Sequence, residues 1–327
     1  MRFQISKPLL LLLLLGGGFL ANQLNIIDIN LFCNQSRFKY INKELACGDS
    51  FVVKKHAYKE FKVKVEDFIQ QKVKEDEITE VSIYFRDLEN GPTFGINEHA
   101  IFTPASLLKV PIMLTYLSLA ENKPELLEKT LKFSRLKEGD LIHQSITPKD
   151  PIQENIAYSV RELLSHMIKY SDNNASFTLA LYLNKQYPDG QPFFDTIRGF
   201  GLIDPEDIAE SNLSVKSYAS IFIQLYNSSF FSKTETSEEA LRLLAESDFI
   251  KGIVAGVPSG ISVAHKFGER QIADNEQKQF HDCGIVYYPK NPYLLCVMTR
   301  GDDFDKLPGV VSEISRMVYE EFESRRL

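Results

Sequence analysis

The stretch Thr103-Pro104-Ala105-Ser106-Leu107-Leu108-Lys109-Val110-Pro111-Ile112-Met113-Leu114 constrains this chain more than any other. With Leu117 and Leu119 following, it keeps too few polar positions to lie on a surface, so it reads as a buried central helix with other elements packed around it. Thr103 is a good N-cap residue and Pro104 suits the first helical position, so the helix is expected to start there with Ser106 in its first turn. First-turn N–H groups lack intrahelical partners, and together with the positive end of the helix they can stabilise negative charge at or beside the Ser106 oxygen. Lys109 follows three residues later on the same face, where burial would lower its pKa and free a neutral amine to act as a base. A capping serine and a snorkelling lysine on a structural helix fit the same residues. The spacing alone is weakly specific: Ser134-Arg135-Leu136-Lys137 repeats it without an N-cap or an apolar helix and reads as a surface segment.

The chain has 327 residues, 44% of them hydrophobic, enough for a large core, and its net charge of -7 without a basic, aromatic-interleaved cluster argues against a nucleic-acid partner. A small or medium-sized substrate is expected instead. Residues 1–22 combine a basic start with seven consecutive leucines, the pattern of an export signal peptide or an uncleaved membrane anchor. Residues 23–56 read as a tether and 57–327 as the ordered domain, placed outside the cytoplasm: periplasmic, secreted or held at the membrane through its N-terminal segment. A monomer is expected. Cys33 with Cys47 is the better local disulfide pair, while Cys283 and Cys296, in two apolar runs, fit either a bridge or buried thiols. The histidines at 56, 99, 143, 166, 265 and 281 form no His-x-x-x-His pair, so no metal centre is expected.

Phe61, Val65, Phe68, Ile69 and Val73 recur at helical spacing, and Val81, Ile83 and Phe85 alternate with Ser82 and Tyr84 as a half-buried strand. Asn90-Gly91 signals a hairpin returning through Thr93 to Ile96. From about 120 to 250 the pattern is mainly helical: Arg161 to Tyr170 and Asn174 to Leu183 flank Ser171-Asp172-Asn173, and Ser214 caps a further helix. Ile261 to Phe267, Ile285 to Tyr288 and Tyr293 to Thr299 then read as strands, and Val311, Ile314, Val318 and Phe322 mark a last helix. The expected fold is α+β, an antiparallel sheet flanked by terminal helices with an all-helical subdomain inserted at about 100–250, and a site in the cleft between them.

Two further groups have chemistry to offer. Ser171-Asp172-Asn173 supplies a hydroxyl that can relay a proton, a carboxylate that can fix its own turn and an amide that can hold a carbonyl, although such residues are also common in ordinary turns. Lys266-Phe267-Gly268 would set a cation over the cleft and a glycine where substrate nears the backbone, although Lys266 also suits an edge strand guarded against aggregation. In this order and at these intervals, the three groups resemble the Ser-x-x-Lys, Ser-Asp-Asn and Lys-Thr-Gly set of class A β-lactamases and penicillin-binding proteins, over residues 57–327. The resemblance implies a β-lactamase/transpeptidase-like fold and an acyl-enzyme mechanism that needs no cofactor. Ser106 would be the nucleophile and Lys109 its base. Ser171 would serve as the relay, with an oxyanion hole at the backbone N–H groups of Ser106 and Glu269. Asn173, Lys266 and Gly268 would bind substrate.

The chain also departs from that pattern. The family's deacylating glutamate belongs to a long loop, and here only Ile203 to Asn212 remains before the next helix, with Glu206 and Glu210 as the carboxylates and Glu210 as a candidate base. Phe267 replaces the usual threonine, and Glu269 adds a negative side chain. Three readings follow: hydrolysis of β-lactams, with slow deacylation allowed; D-alanyl peptidase or amidase action on peptidoglycan peptides; or non-catalytic binding of peptidoglycan fragments.

Overall fold

Phe61, Val65 and Ile69 form the buried stripe of the first helix, α1 (Lys59–Lys74), in a computed structural model that describes residues 38–42, 58–89, 91, 93–134, 146–202, 213–271 and 277–325. Strands β1 (Glu80–Asp87) and β2 (Thr93–Ile96) make the expected hairpin, with Phe85 opposite Phe94. Gly91 takes φ +78° in its turn, a conformation that glycine adopts without steric cost. The short β3 (Ile101–Phe102) leads through a 3-10 turn at Ala105–Leu108 into α2 (Lys109–Asn122). Next come β4 (Thr130–Lys132), β5 (Ala157–Ser159), α3 (Val160–Lys169), α4 (Asn173–Gln186) and α5 (Gln191–Gly199). They are followed by β6 (Leu213–Ser214), α6 (Val215–Tyr226) and α7 (Thr234–Ala245). The chain returns as β7 (Val263–Arg270), β8 (Lys278–Val286) and β9 (Tyr293–Gly301) and finishes in α8 (Leu307–Ser324).

Five strands form one antiparallel sheet in the order β2-β1-β9-β8-β7. β1 pairs with β9 along its whole length, so the two ends of the domain close into a single sheet and the helices from α2 to α7 form an insertion between them. The period of two along each strand divides the core. Val81, Ile83, Phe85, Phe280, Leu295 and Val297 pack on the side of α1 and α8, whereas Cys283, Ile285, Leu294, Cys296 and Met298 pack with the inserted helices. Burial on both faces explains why the β8 and β9 sequences run nearly continuously apolar rather than alternating. On the terminal-helix side, Phe85 meets Tyr58 at 4.9 Å and Phe94 at 5.0 Å between ring centroids, with Tyr293 and Phe322 closing the cluster.

The central helix is as apolar as its sequence demands: Val110, Met113, Leu114 and Tyr116 are fully buried, and the Tyr116 hydroxyl donates to the Leu179 carbonyl at 2.8 Å. Its entrance differs from expectation. Thr103 caps no helix; its N–H donates to Gln279 Oε1 at 3.2 Å, and neither the 3-10 turn nor α2 has a side-chain cap. Ala105 at φ +49° bends the chain, so the α-helix starts only at Lys109 and Pro111 falls in its first turn, where a missing N–H leaves no bond unmade.

Cys283 and Cys296 stand opposite one another on β8 and β9 and are joined by a disulfide, whereas Cys33 and Cys47 lie outside the described residues. Within the expected tether, residues 38–42 are docked: Glu238 accepts the backbone N–H groups of Lys39, Tyr40 and Ile41 at 2.7, 2.8 and 3.1 Å. Among the described residues no helix is long and apolar enough to cross a membrane.

Replacing Phe85, fully buried at the centre of the aromatic cluster, with alanine should destabilise the fold by about 3–5 kcal/mol. Urea unfolding of the two proteins measures this directly, and a loss below 1 kcal/mol would show that the cluster is not central to stability.

Candidate active site

Ser106 lies half-buried in the 3-10 turn, and Lys109 is the first residue of α2. With three residues per 3-10 turn, positions i and i+3 eclipse, which sets Lys109 on the same face as Ser106. Four contacts hold that turn. The Thr103 N–H donates to Gln279 Oε1, the Thr103 carbonyl receives His281 Nε2 at 3.0 Å, and the Leu107 carbonyl accepts the Tyr218 hydroxyl at 2.9 Å. From the sheet edge, Gly268 of β7 presses against it so closely that a Cβ there would meet the Pro104 carbonyl oxygen at 3.0 Å and the Leu107 nitrogen at 3.3 Å. Burial lowers the His281 pKa to about 4, so its Nε2 donates as a neutral imidazole.

Ser171-Asp172-Asn173 forms the turn between α3 and α4, and Asp172 is the N-cap of α4. One carboxylate oxygen accepts the N–H groups of Asn174 and Ala175, and the other accepts the Ile152 N–H at 2.7 Å. So anchored, Asp172 fixes its own loop as its sequence context suggested. Ser171 takes φ +54°, a left-handed conformation that costs a non-glycine residue roughly 1–3 kcal/mol. It turns both its carbonyl and its hydroxyl toward Lys109.

Lys109, 4% exposed, reaches the Ser171 carbonyl at 2.5 Å, Asn173 Oδ1 at 2.7 Å and Ser171 Oγ at 3.1 Å. Desolvation is the main cause of a pKa lowered to about 7, opposed by the negative charges of Asp172 and Glu269. Protonated, the amine can donate to all three oxygens. Neutral, it keeps two protons for the carbonyl of Ser171 and the amide oxygen of Asn173, and its lone pair is then available to a hydroxyl proton. Because Asn173 turns its oxygen to the lysine, its NH2 group is left for a substrate carbonyl.

Lys266 is not the exposed edge-strand lysine that its sequence position allowed. Although β7 is an edge strand, Lys266 is fully buried and donates to Ser171 Oγ and to the Phe267 carbonyl, both at 2.9 Å. Its ammonium also sits 4.0 Å from the centroid of the Phe267 ring. Burial and the nearby Lys109 charge push its pKa well below the ordinary lysine value. Phe267 itself belongs to the core on the terminal-helix side, stacked on Phe249 at 3.9 Å, where a threonine hydroxyl would have no role. Glu269, one residue past Gly268, accepts the Ile146 N–H at 2.8 Å. Glu206 and Glu210 lie outside the described residues. Among the described residues no cluster of three side chains could hold a metal ion.

The structure thus brings Ser106, Lys109, Ser171, Asn173, Lys266, Gly268 and Glu269 to one place. It also adds Tyr218, Gln279 and His281, which hold the nucleophile turn. Their signal was present in β8, where the period of two places Gln279 and His281 on the same face as the helix-facing Cys283 and Ile285.

The sequence profile of the Beta-lactamase enzyme family matches residues 64–322. The chain belongs to this family. Among solved structures it resembles a PBP-A mutant determined as its acyl-enzyme complex with penicillin G, at 22% identity and a TM-score of 0.63 over 80% of this chain and 97% of that one. A β-lactamase from Chitinophaga pinensis DSM 2588 matches at 19% identity and a TM-score of 0.64, over 79% and 98% of the two chains. A class A β-lactamase from Bacteroides cellulosilyticus DSM 14838 matches at 20% identity and 0.63, over 80% and 98%. At these identities the structural likeness establishes the fold alone. Among curated proteins none matches. Family and fold agree: a member of the Beta-lactamase enzyme family has the α+β fold of these β-lactamase-like structures.

Substituting Gly268 with alanine should leave the thermal midpoint near that of the wild type but slow any reaction at Ser106 about tenfold or more, because the added Cβ displaces the nucleophile turn by a few tenths of an ångström. Melting curves and labelling rates measured on the same preparations separate the two effects; equal labelling rates would refute the close approach.

Proposed function

We propose that the protein is an exported acyl-serine hydrolase that attacks the strained amide of β-lactams through Ser106. The observation that carries this reading is the buried Lys109 amine, adjusted to about 7 and wired to the Ser171 hydroxyl. A lysine with its ordinary pKa would be protonated at neutral pH and could take no proton. Here a substantial fraction is neutral, close to the pH at which a general base works best.

In the first step Ser106 Oγ bonds to the carbonyl carbon as its proton passes to Lys109 Nζ. The carbonyl oxygen takes the negative charge between the N–H groups of Ser106 and Glu269, the second of which is carried by the strand that Gly268 brings against the turn. The C–N bond then breaks, and the leaving nitrogen receives a proton through Ser171 Oγ, which is replenished from the lysines on either side. Asn173 holds the substrate carbonyl through its NH2 group. Water would complete the cycle by hydrolysing the acyl ester, and Glu210 remains the candidate base from the loop. An extracytoplasmic location suits both β-lactams and cell-wall peptides and accords with the leucine-rich start of the chain.

Peptidoglycan peptides are the second reading, favoured by the replacement of the threonine position by the core residue Phe267. Release of terminal D-alanine from muropeptides, compared between wild type and Ser106→Ala, distinguishes the two substrates.

Incubation with benzylpenicillin followed by intact-mass measurement should show one acyl adduct on the wild type and none on Ser106→Ala. The acylation rate should rise about tenfold per pH unit below 7 and level off above it, since the reactive form of Lys109 is the deprotonated one. A rate independent of pH between 5 and 8 would remove Lys109 from the role of base.

A further inference from the structure

The family's lysine on this strand is expected to attract a substrate carboxylate. Lys266 is fully buried, and its donors are committed to Ser171 Oγ, the Phe267 carbonyl and the face of the Phe267 ring. One residue past Gly268 stands a carboxylate, Glu269, whose Oε1 is fixed by the Ile146 N–H at 2.8 Å and whose buried Oε2 has no hydrogen-bond partner among the described residues. Among the described residues no cation lies within ion-pair distance of it. That charge acts on the reaction centre: it opposes the lowering of both the Lys109 and the Lys266 pKa, which places it within electrostatic reach of the two amines that flank Ser171.

We propose that Glu269 is a specificity-determining residue that selects acyl donors carrying a carboxamide or ammonium group on the leaving-group side over those carrying a carboxylate. The physical reason is Coulombic. A substrate carboxylate entering beside β7 would meet the negative charge of Glu269, whose Oε1 is held in place by Ile146, while the Lys266 ammonium that could offset it is already bonded to Ser171 Oγ and the Phe267 carbonyl. A neutral amide meets no such opposition, and an ammonium group is attracted. This inference rests on the acyl-enzyme reading of Ser106.

The Ile146 contact offers a competing explanation. The segment from Ile146 to Ile152 is fastened to Glu269 at one end and to Asp172 at the other, so Glu269 could act by holding that segment rather than through its charge. Two variants separate the effects. Glu269→Gln removes the charge but keeps an oxygen for the Ile146 N–H, whereas Glu269→Ala removes both.

The experiment measures second-order acylation rates with benzylpenicillin and its uncharged methyl ester for the wild type and both variants. Charge selection predicts that Glu269→Gln and Glu269→Ala each raise the ratio of the benzylpenicillin rate to the ester rate about tenfold, whatever change the substitution makes to the ester rate itself. If Glu269→Gln behaves as wild type and Glu269→Ala accelerates both probes alike, the residue acts as a latch and the proposal fails. An unchanged ratio of rates in both variants also overturns it, while leaving acylation at Ser106 intact. No adduct with either probe in any of the proteins overturns the acyl-enzyme reading, and the selectivity with it.

Discussion

The buried amine of Lys109 is the constraint on which the rest of this site depends. An ammonium removed from water is strongly disfavoured unless its protons find fixed acceptors, and here those acceptors come from a different part of the chain, the turn between α3 and α4. To present a carbonyl and a hydroxyl to the same amine, Ser171 adopts a left-handed backbone, and the cap that Asp172 provides to α4 keeps it there. Packing makes the arrangement possible. Tyr116 ties α2 to α4 from within the core, and Tyr218 ties α6 to the nucleophile turn, so the helices that carry the amine, its acceptors and Ser106 are fixed relative to one another.

The sheet supplies the other wall. β7 is an edge strand, yet it is not left open to another chain in the usual sense, since Gly268 brings its backbone against the turn that carries Ser106. Ala105 and Ser171, both at positive φ, flank the reacting groups from the two sides of the cleft. Each is a local cost accepted by a surrounding structure that overdetermines it: Gln279, His281 and Gly268 about the first, Lys109 and Lys266 about the second. Strained backbone at both positions holds the proposed nucleophile, Ser106, and the proposed relay, Ser171, in register.

Much of this was legible in the sequence because it depends on periodicity and local chemistry. The stripe of α1, the hairpin of β1 and β2, the caps at Asp172 and Ser214 and the apolar face of α8 all follow from spacing or from a side chain close to the backbone groups it satisfies. The helix entrance was misread because Thr103 and Pro104 have the right chemistry for a cap, while the φ of Ala105, set by contacts with residues more than 150 positions later, decides where the helix begins. Long-range partnerships of this kind leave no mark in a window of sequence. The same holds for Glu238, which collects three backbone N–H groups from residues 39–41 in a segment without periodicity. Lys266 shows the opposite case: its strand was readable and its motif recognisable, but its burial depended on Phe249 and Phe267 packing around the edge.

Two lysines share one serine hydroxyl, and their inequality assigns the roles. Both amines are desolvated, and the Lys109 charge further lowers the Lys266 pKa, so the pair does not hold two protons as readily as isolated lysines would. Lys109 follows Ser106 by one 3-10 turn and has two acceptor oxygens, the Ser171 carbonyl and Asn173 Oδ1, that fix two of its protons and leave a lone pair when the amine is neutral. Lys266 approaches only from the far side of Ser171 and is held by the carbonyl of its own neighbour, so it can reach the reacting atoms only through the Ser171 hydroxyl. In the proposed reaction a proton taken from Ser106 would enter the network at Lys109 and leave it at Ser171, with Lys266 setting how readily that hydroxyl gives it up. Direction in the relay comes from the placement of the two amines about one oxygen, without any difference in their intrinsic chemistry.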